Sequence, residues 1–224
     1  MQYNPFDSLV DKYENWFVEN KTLFESEVLA LKQVVPSDKK GLEIGVGTGI
    51  FSEPLGIKYG VDPSENMIEV ARGRSLDVQV GVAENLPYDD ASFDFAVFIT
   101  SICFIDNPQK AVKEARRVLK HEGEIIFAII DKGTAFGQFL EKNKEKSAFY
   151  KYARFFTVNE VVKLIEENGF TVTETYQTLE NPAATAVEEP VKGHGTGSFV
   201  VIKGKKQQHQ QEKSCFIVIS IILY

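Results

Sequence analysis

From residue 40 to residue 130, short apolar runs alternate with segments whose apolar residues recur at helical spacing. Five of the runs predict strands, over 40–46, 57–62, 77–82, 93–100 and 124–130. Several of them are almost continuously apolar, which is typical of strands buried on both faces. Strands that alternate with helices form an open parallel sheet with helices on both sides. The predicted fold class is therefore α/β, with a Rossmann-like, doubly wound and mostly parallel sheet.

Capping signals predict where two of the connecting helices lie. Asn107 and Pro108 are a capping residue followed by a proline suited to the first helical position, and Gly123 is the predicted end of that helix. Thr157 and Glu160 have the spacing of a capping box and predict a second helix start.

The end of the chain departs from the alternation. Segments 170–178 and 198–203 predict two strands with no helix between them. A βα series that finishes in a hairpin places its last strand antiparallel to the others.

Three regions are predicted along the chain. Residues 1–35 predict a helical cap that Pro36 terminates, and residues 36–204 predict the main domain, with a lid insertion over about 131–156. Residues 205–224 predict a tail outside the fold, because a polar low-complexity stretch is followed by the apolar CFIVISIILY. Those ten residues are too few to span a bilayer. A docking strand or a membrane-surface anchor is the alternative for this tail.

Charge and cysteine content restrict the partners. The chain has 224 residues and a formal net charge of −7, whereas nucleic-acid binding requires a basic surface. The two cysteines give neither a disulfide framework nor a paired metal motif, so we predict no metal site. The N-terminus has no basic start or apolar core of a signal peptide, and we predict a cytoplasmic protein with a small-molecule ligand.

A glycine-rich turn, GLEIGVGTG over residues 41–49, follows the first predicted strand. Gly45, Gly47 and Gly49 allow a sharp turn and a close approach of the backbone to a ligand, and Glu43 precedes them. A tight turn with no ligand is the alternative. The dinucleotide pattern needs glycine or alanine where this chain has Ile50.

Asp62 ends the second predicted strand, 19 residues after Glu43. An acid in this place binds the ribose hydroxyls of an adenine nucleoside in doubly wound folds. The alternative is that Asp62 only caps the helix predicted to start in DPSE, residues 62–65. Around the turn, acidic side chains outnumber the single Lys58, which favours a cationic ligand over a pyrophosphate.

Three segments together resemble the class I S-adenosylmethionine-dependent methyltransferases, in particular the small-molecule group related to the quinone-biosynthesis methyltransferases. LEIGVGTG is similar to the first motif of that family, GVDPSENM to the second and AENLPYDDASFD to the third. The resemblance covers residues 36–130 and continues more loosely to 203. It implies the seven-stranded methyltransferase fold and S-adenosylmethionine as the methyl donor, with S-adenosylhomocysteine as its product.

The resemblance also implies roles for single residues toward the donor. Gly45, Gly47 and Gly49 would pass close to its methionine part, Glu43 would lie near its amino group, and Asp62 would hold the ribose. Thr100 would face the methionine end. Met67, Ala83 and Glu84 would lie along the adenine. Many relatives have an aspartate at Val82 that accepts from the adenine amino group, and Glu84 or a water would have to replace it here.

The acceptor is expected beyond the carboxyl ends of the strands, where ligands bind in open α/β sheets. Four segments should meet there: the N-terminal helix, residues 101–104, residues 131–156 and residues 179–197. Aromatic faces suit cationic groups. The substrate-binding candidates are Tyr13, Trp16, Phe104, Tyr150, Tyr152 and Arg154.

No constellation identifies a catalytic acid or base, and Tyr13 and His194 are the only candidates. We hypothesise a methyltransferase that acts on a small-molecule acceptor by in-line displacement. An NAD(P)-dependent oxidoreductase and a non-catalytic S-adenosylmethionine-binding protein are the alternatives. The type of methylated atom and the oligomeric state are not readable from the sequence.

Overall fold

A computed structural model describes residues 5–207, and most of the predicted tail lies outside these residues. The helices are α1 (Pro5–Ser8), α2 (Val10–Glu19), α3 (Lys21–Lys32), α4 (Ser52–Leu55), α5 (Glu65–Gly73), α6 (Pro108–Val118), α7 (Ala135–Asn143) and α8 (Val158–Glu167). The strands are β1 (Gly41–Ile44), β2 (Tyr59–Asp62), β3 (Asp77–Val80), β4 (Phe93–Ile99), β5 (Leu119–Ile130), β6 (Phe170–Thr178), β7 (Val191–Lys192) and β8 (Phe199–Lys206). Short 3₁₀ turns cover Ile102–Phe104, Lys144–Lys146 and Tyr150–Tyr152.

All the strands lie in one sheet, in the order β3-β2-β1-β4-β5-β8-β6-β7. The first five pair in parallel, and β8 is antiparallel to both β5 and β6. The predicted doubly wound sheet with a terminal antiparallel strand is therefore confirmed. The direction of winding reverses between β1 and β4, which is where such sheets bind ligands.

Alternating side chains of each central strand pack on opposite faces of the sheet. Along β4, Ala96 and Phe98 belong to the apolar core beneath α6 and α8, whereas Phe95, Val97 and Ile99 belong to the core beneath α3. This alternation is the ordinary geometry of a strand. It explains why the sequence of β4 is apolar almost throughout.

Two boundaries of the predicted β5 region are wrong. Helix α6 ends at Val118, not at Gly123, and β5 starts at Leu119 rather than at residue 124. The pairing with β4 shifts there, because Phe93 pairs with Leu119 and Phe95 with Glu124. The buried Leu119 is already in the sheet, and the four intervening residues form an irregularity whose polar part faces solvent.

The C-terminal boundary and the strand count also differ from the prediction. β8 runs to Lys206, beyond the predicted limit of 204, because Lys205 and Lys206 still pair with β6. The Lys206 ammonium donates to the carbonyls of Arg116 and Leu119, which fixes this end of the strand. The two-residue β7 adds an eighth strand at the edge. Within residues 5–207, no helix has the length and apolar character needed to cross a membrane.

Candidate functional site

The glycine turn lies at the carboxyl end of β1, beside the winding reversal. Gly45, Gly47 and Gly49 all have positive φ, at 80°, 53° and 78°. A Cβ added at Gly45 would lie 2.4 Å from Cβ of Ser101, and one at Gly49 would lie 2.3 Å from Cδ1 of Leu76. One at Gly47 would meet the Tyr13 hydroxyl at an ordinary contact distance of 3.5 Å, so only its positive φ favours glycine. Conformation thus explains all three glycines of this turn, and close packing adds to it at Gly45 and Gly49.

Replacing Gly45 by alanine should destabilise the protein by more than a positive φ alone accounts for. Both Gly45→Ala and Gly56→Ala would place a side chain at positive φ, which costs roughly 1–2 kcal/mol. Only the Cβ at position 45 meets a neighbour, because nothing lies within 4 Å at position 56. Urea unfolding should therefore show an extra loss of roughly 1–3 kcal/mol for Gly45→Ala. Equal losses in the two variants would contradict the close packing of Gly45.

The carboxylate of Asp62 joins the glycine turn to the start of α5. Its Oδ2 accepts from the Gly47 amide at 2.9 Å, and its Oδ1 accepts from the Ser64 amide at 2.9 Å. The N-cap of α5 is Ser64, whose hydroxyl accepts from the Met67 amide at 3.3 Å. Asp62 is therefore not the N-cap of this helix, although it accepts from the amide of the residue that is.

Glu43 is a second buried carboxyl group at this edge. It is 2 % exposed, and its Oε2 accepts a hydrogen bond from the Ser52 hydroxyl. Burial raises the pKa of Glu43 to about 8, against the effect of that hydrogen bond. Burial also raises the pKa of Asp62 to about 6, although the Ser64 and Gly47 amides oppose the shift. Two carboxyl groups with raised pKa values in one buried place favour a cationic ligand.

The predicted adenine-side residues lie on the loop after β3 and on α5. Met67 is 1 % exposed and Ala83 is 9 % exposed, so both are largely buried. One carboxylate oxygen of Glu84, Oε1, already accepts a hydrogen bond from the Asn107 backbone amide at 3.0 Å. Val82 is 46 % exposed and forms a bridge with Asn85. The exposed Val82 side chain offers no hydrogen bond at this place.

Thr100 and Ser101 end β4 beside the same turn. Thr100 has a φ of 48°, which is uncommon for a residue with a branched Cβ. The Ser101 hydroxyl donates to the carbonyl of Ile44 at 2.6 Å and so ties the end of β4 to the end of β1. Thr100 thus has a left-handed backbone conformation at the place where the donor's methionine end was predicted to lie.

The helical cap is held over the glycine turn by Arg74, a residue that the sequence analysis did not select. Its Nη1 donates to the Thr48 carbonyl at 3.0 Å, and its Nη2 pairs with Oε2 of Glu14 in α2 at 2.6 Å. Its Nε contacts Glu53 at 3.3 Å. A second hydrogen bond joins α1 to α5, where the side-chain amide of Asn66 donates to the backbone carbonyl of Asp7 at 2.7 Å.

Aromatic side chains from three of the four predicted segments meet above this edge. Phe6 of the cap lies 5.0 Å from Phe104 and 5.5 Å from Phe149, measured between ring centroids. Tyr13 lies 6.1 Å from Phe149, and Phe104 stacks on Tyr150 at 6.3 Å. We call these five residues the aromatic cluster. It brings together three of the predicted positions, Tyr13, Phe104 and Tyr150.

A small cavity lies beside the aromatic cluster, lined among others by Thr100, Cys103, Ile130 and Tyr150. Its volume of about 10 Å³ is room for roughly one water. Binding of an acceptor here would therefore require movement of the cap or of residues 131–156.

The hydroxyl of Tyr13 lies between the glycine turn and the aromatic cluster. Burial raises the pKa of Tyr13 well above its ordinary value, and the nearby carboxyl groups of Glu43 and Asp62 raise it further. A phenol in this environment stays protonated at neutral pH. Tyr13 is therefore a hydrogen-bond donor and is poorly suited to act as a base.

The other predicted acceptor residues lie at the surface. Trp16 and Tyr152 are 38 % and 56 % exposed. Arg154 is exposed, and its guanidinium stacks over Phe156 at 4.9 Å. His194 is exposed between Gly193 and Gly195, which both have positive φ. These four residues do not join the aromatic cluster.

Comparisons with known proteins agree with this geometry. Residues 42–127 match the family model of a methyltransferase domain. A crystal structure of an S-adenosylmethionine-dependent methyltransferase from Thermotoga maritima, named as a possible histamine N-methyltransferase, superposes with a TM-score of 0.88. It is 47 % identical to this chain and covers 91 % of it, while the chain covers 99 % of that structure.

Two curated relatives are also similar over most of their length. An uncharacterised protein of Methanocaldococcus jannaschii is 42 % identical, over 91 % of this chain and 99 % of its own length. The malonyl-[acyl-carrier protein] O-methyltransferase of Geobacter sulfurreducens is 30 % identical, over 73 % of this chain and 68 % of its own length. The chain belongs to the class I S-adenosylmethionine-dependent methyltransferases and is an enzyme of that family.

The buried residues at the carboxyl edge fit the donor of this family. S-adenosylmethionine carries a sulfonium and an ammonium group but no phosphate. The edge offers it two buried carboxyl groups, Glu43 and Asp62, and glycine backbone in place of side chains. A pyrophosphate over the glycine turn would instead lie near the buried Glu43 carboxyl group, which is electrostatically unfavourable. Asp62, at the ribose position, suits an adenine nucleoside of either kind.

Proposed function

We propose that this enzyme transfers a methyl group from S-adenosylmethionine to a small-molecule acceptor by in-line displacement. The donor supplies an electrophilic methyl carbon bound to a positively charged sulfur. A lone pair of the acceptor forms the new bond to that carbon while the carbon–sulfur bond breaks and its electron pair stays on sulfur. The acceptor loses its proton to water, and S-adenosylhomocysteine leaves as a neutral thioether.

In this proposal, the donor lies along the carboxyl ends of β1, β2 and β4. Asp62 accepts from the ribose hydroxyls with the lone pairs that the Gly47 and Ser64 amides leave free. Glu43 lies on the side of the donor's ammonium group, and the turn at Gly45, Gly47 and Gly49 passes the methionine part. Met67, Ala83 and Glu84 lie along the adenine, and Thr100 faces the methionine end through its backbone.

One observation carries the choice of donor. Glu43 and Asp62 are both at most 9 % exposed, and burial raises both pKa values. No lysine or arginine forms an ion pair with either carboxyl group within residues 5–207, so their charge is left for a ligand. A cationic donor lowers the cost of burying them, whereas a pyrophosphate over the glycine turn would raise the cost of burying Glu43.

The enzyme's own contribution to the transfer is positioning and the exclusion of water. The aromatic cluster closes the space above the glycine turn, and Arg74 holds the cap over it. The Tyr13 hydroxyl donates a hydrogen bond toward the reacting end. A small acceptor fits this account, and a small amine is what the name of the Thermotoga relative mentions for that protein.

Transfer of a labelled methyl group tests the proposal. The full chain would be incubated with S-adenosylmethionine labelled in its methyl group and a panel of amines, phenols, thiols and carboxylates. We expect label in at least one small molecule and one S-adenosylhomocysteine formed for each methyl transferred. Binding of S-adenosylhomocysteine without transfer to any member would instead favour the non-catalytic alternative.

A further inference from the structure

Glu27 of α3 is a buried carboxyl group without a partner. It is 5 % exposed, and no hydrogen bond or ion pair joins it to any of residues 5–207. Burial alone raises the pKa of Glu27 to about 8. An unpaired ionisable group in the interior is unfavourable for stability. Its presence therefore needs a reason other than packing.

The other buried carboxyl groups on this side of the molecule all have partners. Glu43 accepts from the Ser52 hydroxyl, and Asp62 accepts from two backbone amides. Asp131 accepts from the amides of Gly133 and Val158. Glu27 is the exception among these four, and it is the one whose acceptor capacity is entirely unused within the described chain.

The position of Glu27 relates it to the acceptor side of the site. Helix α3 follows the cap helix α2 and packs on the sheet face that holds Ile99 and Ala128. The loop after β6 is also near Glu27, because the Glu188 amide in that loop donates to the hydroxyl of the neighbouring Ser26 at 2.9 Å. Helix α3 is thus in contact with the segment 179–197, the fourth one predicted to meet at the acceptor.

The charged groups that act on Tyr13 and Tyr150 show which of these two tyrosines Glu27 lies near. The nearby Glu43, Asp62 and Tyr150 raise the pKa of Tyr13, whereas Glu27 is among the groups that raise the pKa of Tyr150. Tyr150 stacks on Phe104 of the aromatic cluster and packs against Phe155 at 5.3 Å. The Glu27 carboxyl group is therefore close to Tyr150 of the aromatic cluster.

We propose that Glu27 binds a protonated nitrogen of the methyl acceptor, at the end of the acceptor remote from the atom that is methylated. The inference rests on the proposed function and names its substrate class: a small amine whose second, nucleophilic group reaches the donor. A cation between aromatic faces and a buried carboxylate gains from both. The same carboxylate would repel an acidic acceptor and leave a neutral one without a charge partner.

Paired acceptors test this inference. Each probe would be a diamine or an aminoethyl-imidazole, matched with the analogue in which a hydroxyl replaces the remote amine. Methyl transfer would be measured with S-adenosylmethionine as the donor. Binding of each probe would be measured separately, in the presence of saturating S-adenosylhomocysteine. Both measurements would compare the wild type with Glu27→Gln and Glu25→Gln. Glu25 is on the same helix, partly exposed, and pairs with Lys21 at 3.6 Å.

We expect the wild type to prefer amines over their hydroxyl analogues by at least tenfold in kcat/KM. Glu27→Gln should lose most of this preference through KM, with unchanged affinity for S-adenosylhomocysteine, and Glu25→Gln should keep it. The inference is overturned if hydroxyl analogues react as well as amines, if no amine binds or reacts, or if Glu27→Gln leaves the preference intact. Normal S-adenosylhomocysteine binding in any of these cases would leave the proposed donor site standing, and its absence would overturn the proposed function itself.

Discussion

Replacing Asp62 by asparagine should weaken binding of S-adenosylhomocysteine by about 30- to 1,000-fold, or roughly 2–4 kcal/mol. The carboxylate already accepts from the Gly47 and Ser64 amides, each at 2.9 Å. An asparagine can accept at only one of the two positions, and its NH₂ group would face an amide N–H at the other. The variant therefore loses ribose contacts and also disturbs the glycine turn that the ligand must follow.

Ser64→Ala is the matched control for Asp62→Asn. It removes the cap of α5 and leaves the carboxylate in place. Isothermal titration should show near wild-type affinity for S-adenosylhomocysteine in this variant, while its unfolding free energy falls by about 1 kcal/mol. If both variants lost the same affinity, the role of Asp62 would be to support the helix start rather than to contact the ligand.

Glu27→Gln should stabilise the free protein at high pH, although it removes a group proposed to bind the acceptor. The pKa of Glu27 is raised from 4.5 to about 8, so the folded state holds a proton that the unfolded state has already lost. Wild-type stability therefore falls, relative to the variant, as pH rises from about 4.5 to about 8, and the full penalty is present above that range. The stability difference should grow by roughly 3–5 kcal/mol between pH 4.5 and 8.5.

Chemical unfolding at several pH values measures this difference. The comparison across pH removes the intrinsic effect of exchanging a carboxyl for an amide, which is the same at each pH. Glu25→Gln should show a change within about 0.5 kcal/mol over the same range, as is usual for exposed sites. A flat difference for Glu27→Gln would mean that the carboxyl group is hydrated or paired in solution.

Much of the sheet was predictable because its strands are buried on both faces and its turns carry local signals. Thr157 and Glu160 form the predicted capping box, and the Asn107 side chain accepts from the Lys110 amide. The start of β5 was not predictable from local signals. Glycine at 123 is typical of a helix end, but the pairing of Leu119 with Phe93 is a long-range contact that extends the strand.

The donor side and the acceptor side of the site also differ in how far local sequence signals predict them. The donor side is encoded by the local spacing of glycines and acids, so Asp62 could be selected from the sequence. Arg74 and Glu27 could not be selected so easily, since their importance depends on residues far away in the chain. A readable signal for Glu27 did exist: it lies at helical spacing between Phe24 and Leu31, both on the apolar face of α3.

Isothermal titration of the full chain with S-adenosylhomocysteine, and separately with NADH, is the most direct test of the account. Two buried carboxyl groups around a glycine turn predict binding of S-adenosylhomocysteine with a dissociation constant on the order of 1–100 µM. They also predict no binding of NADH in that range. Micromolar binding of NADH together with no binding of S-adenosylhomocysteine would contradict the account.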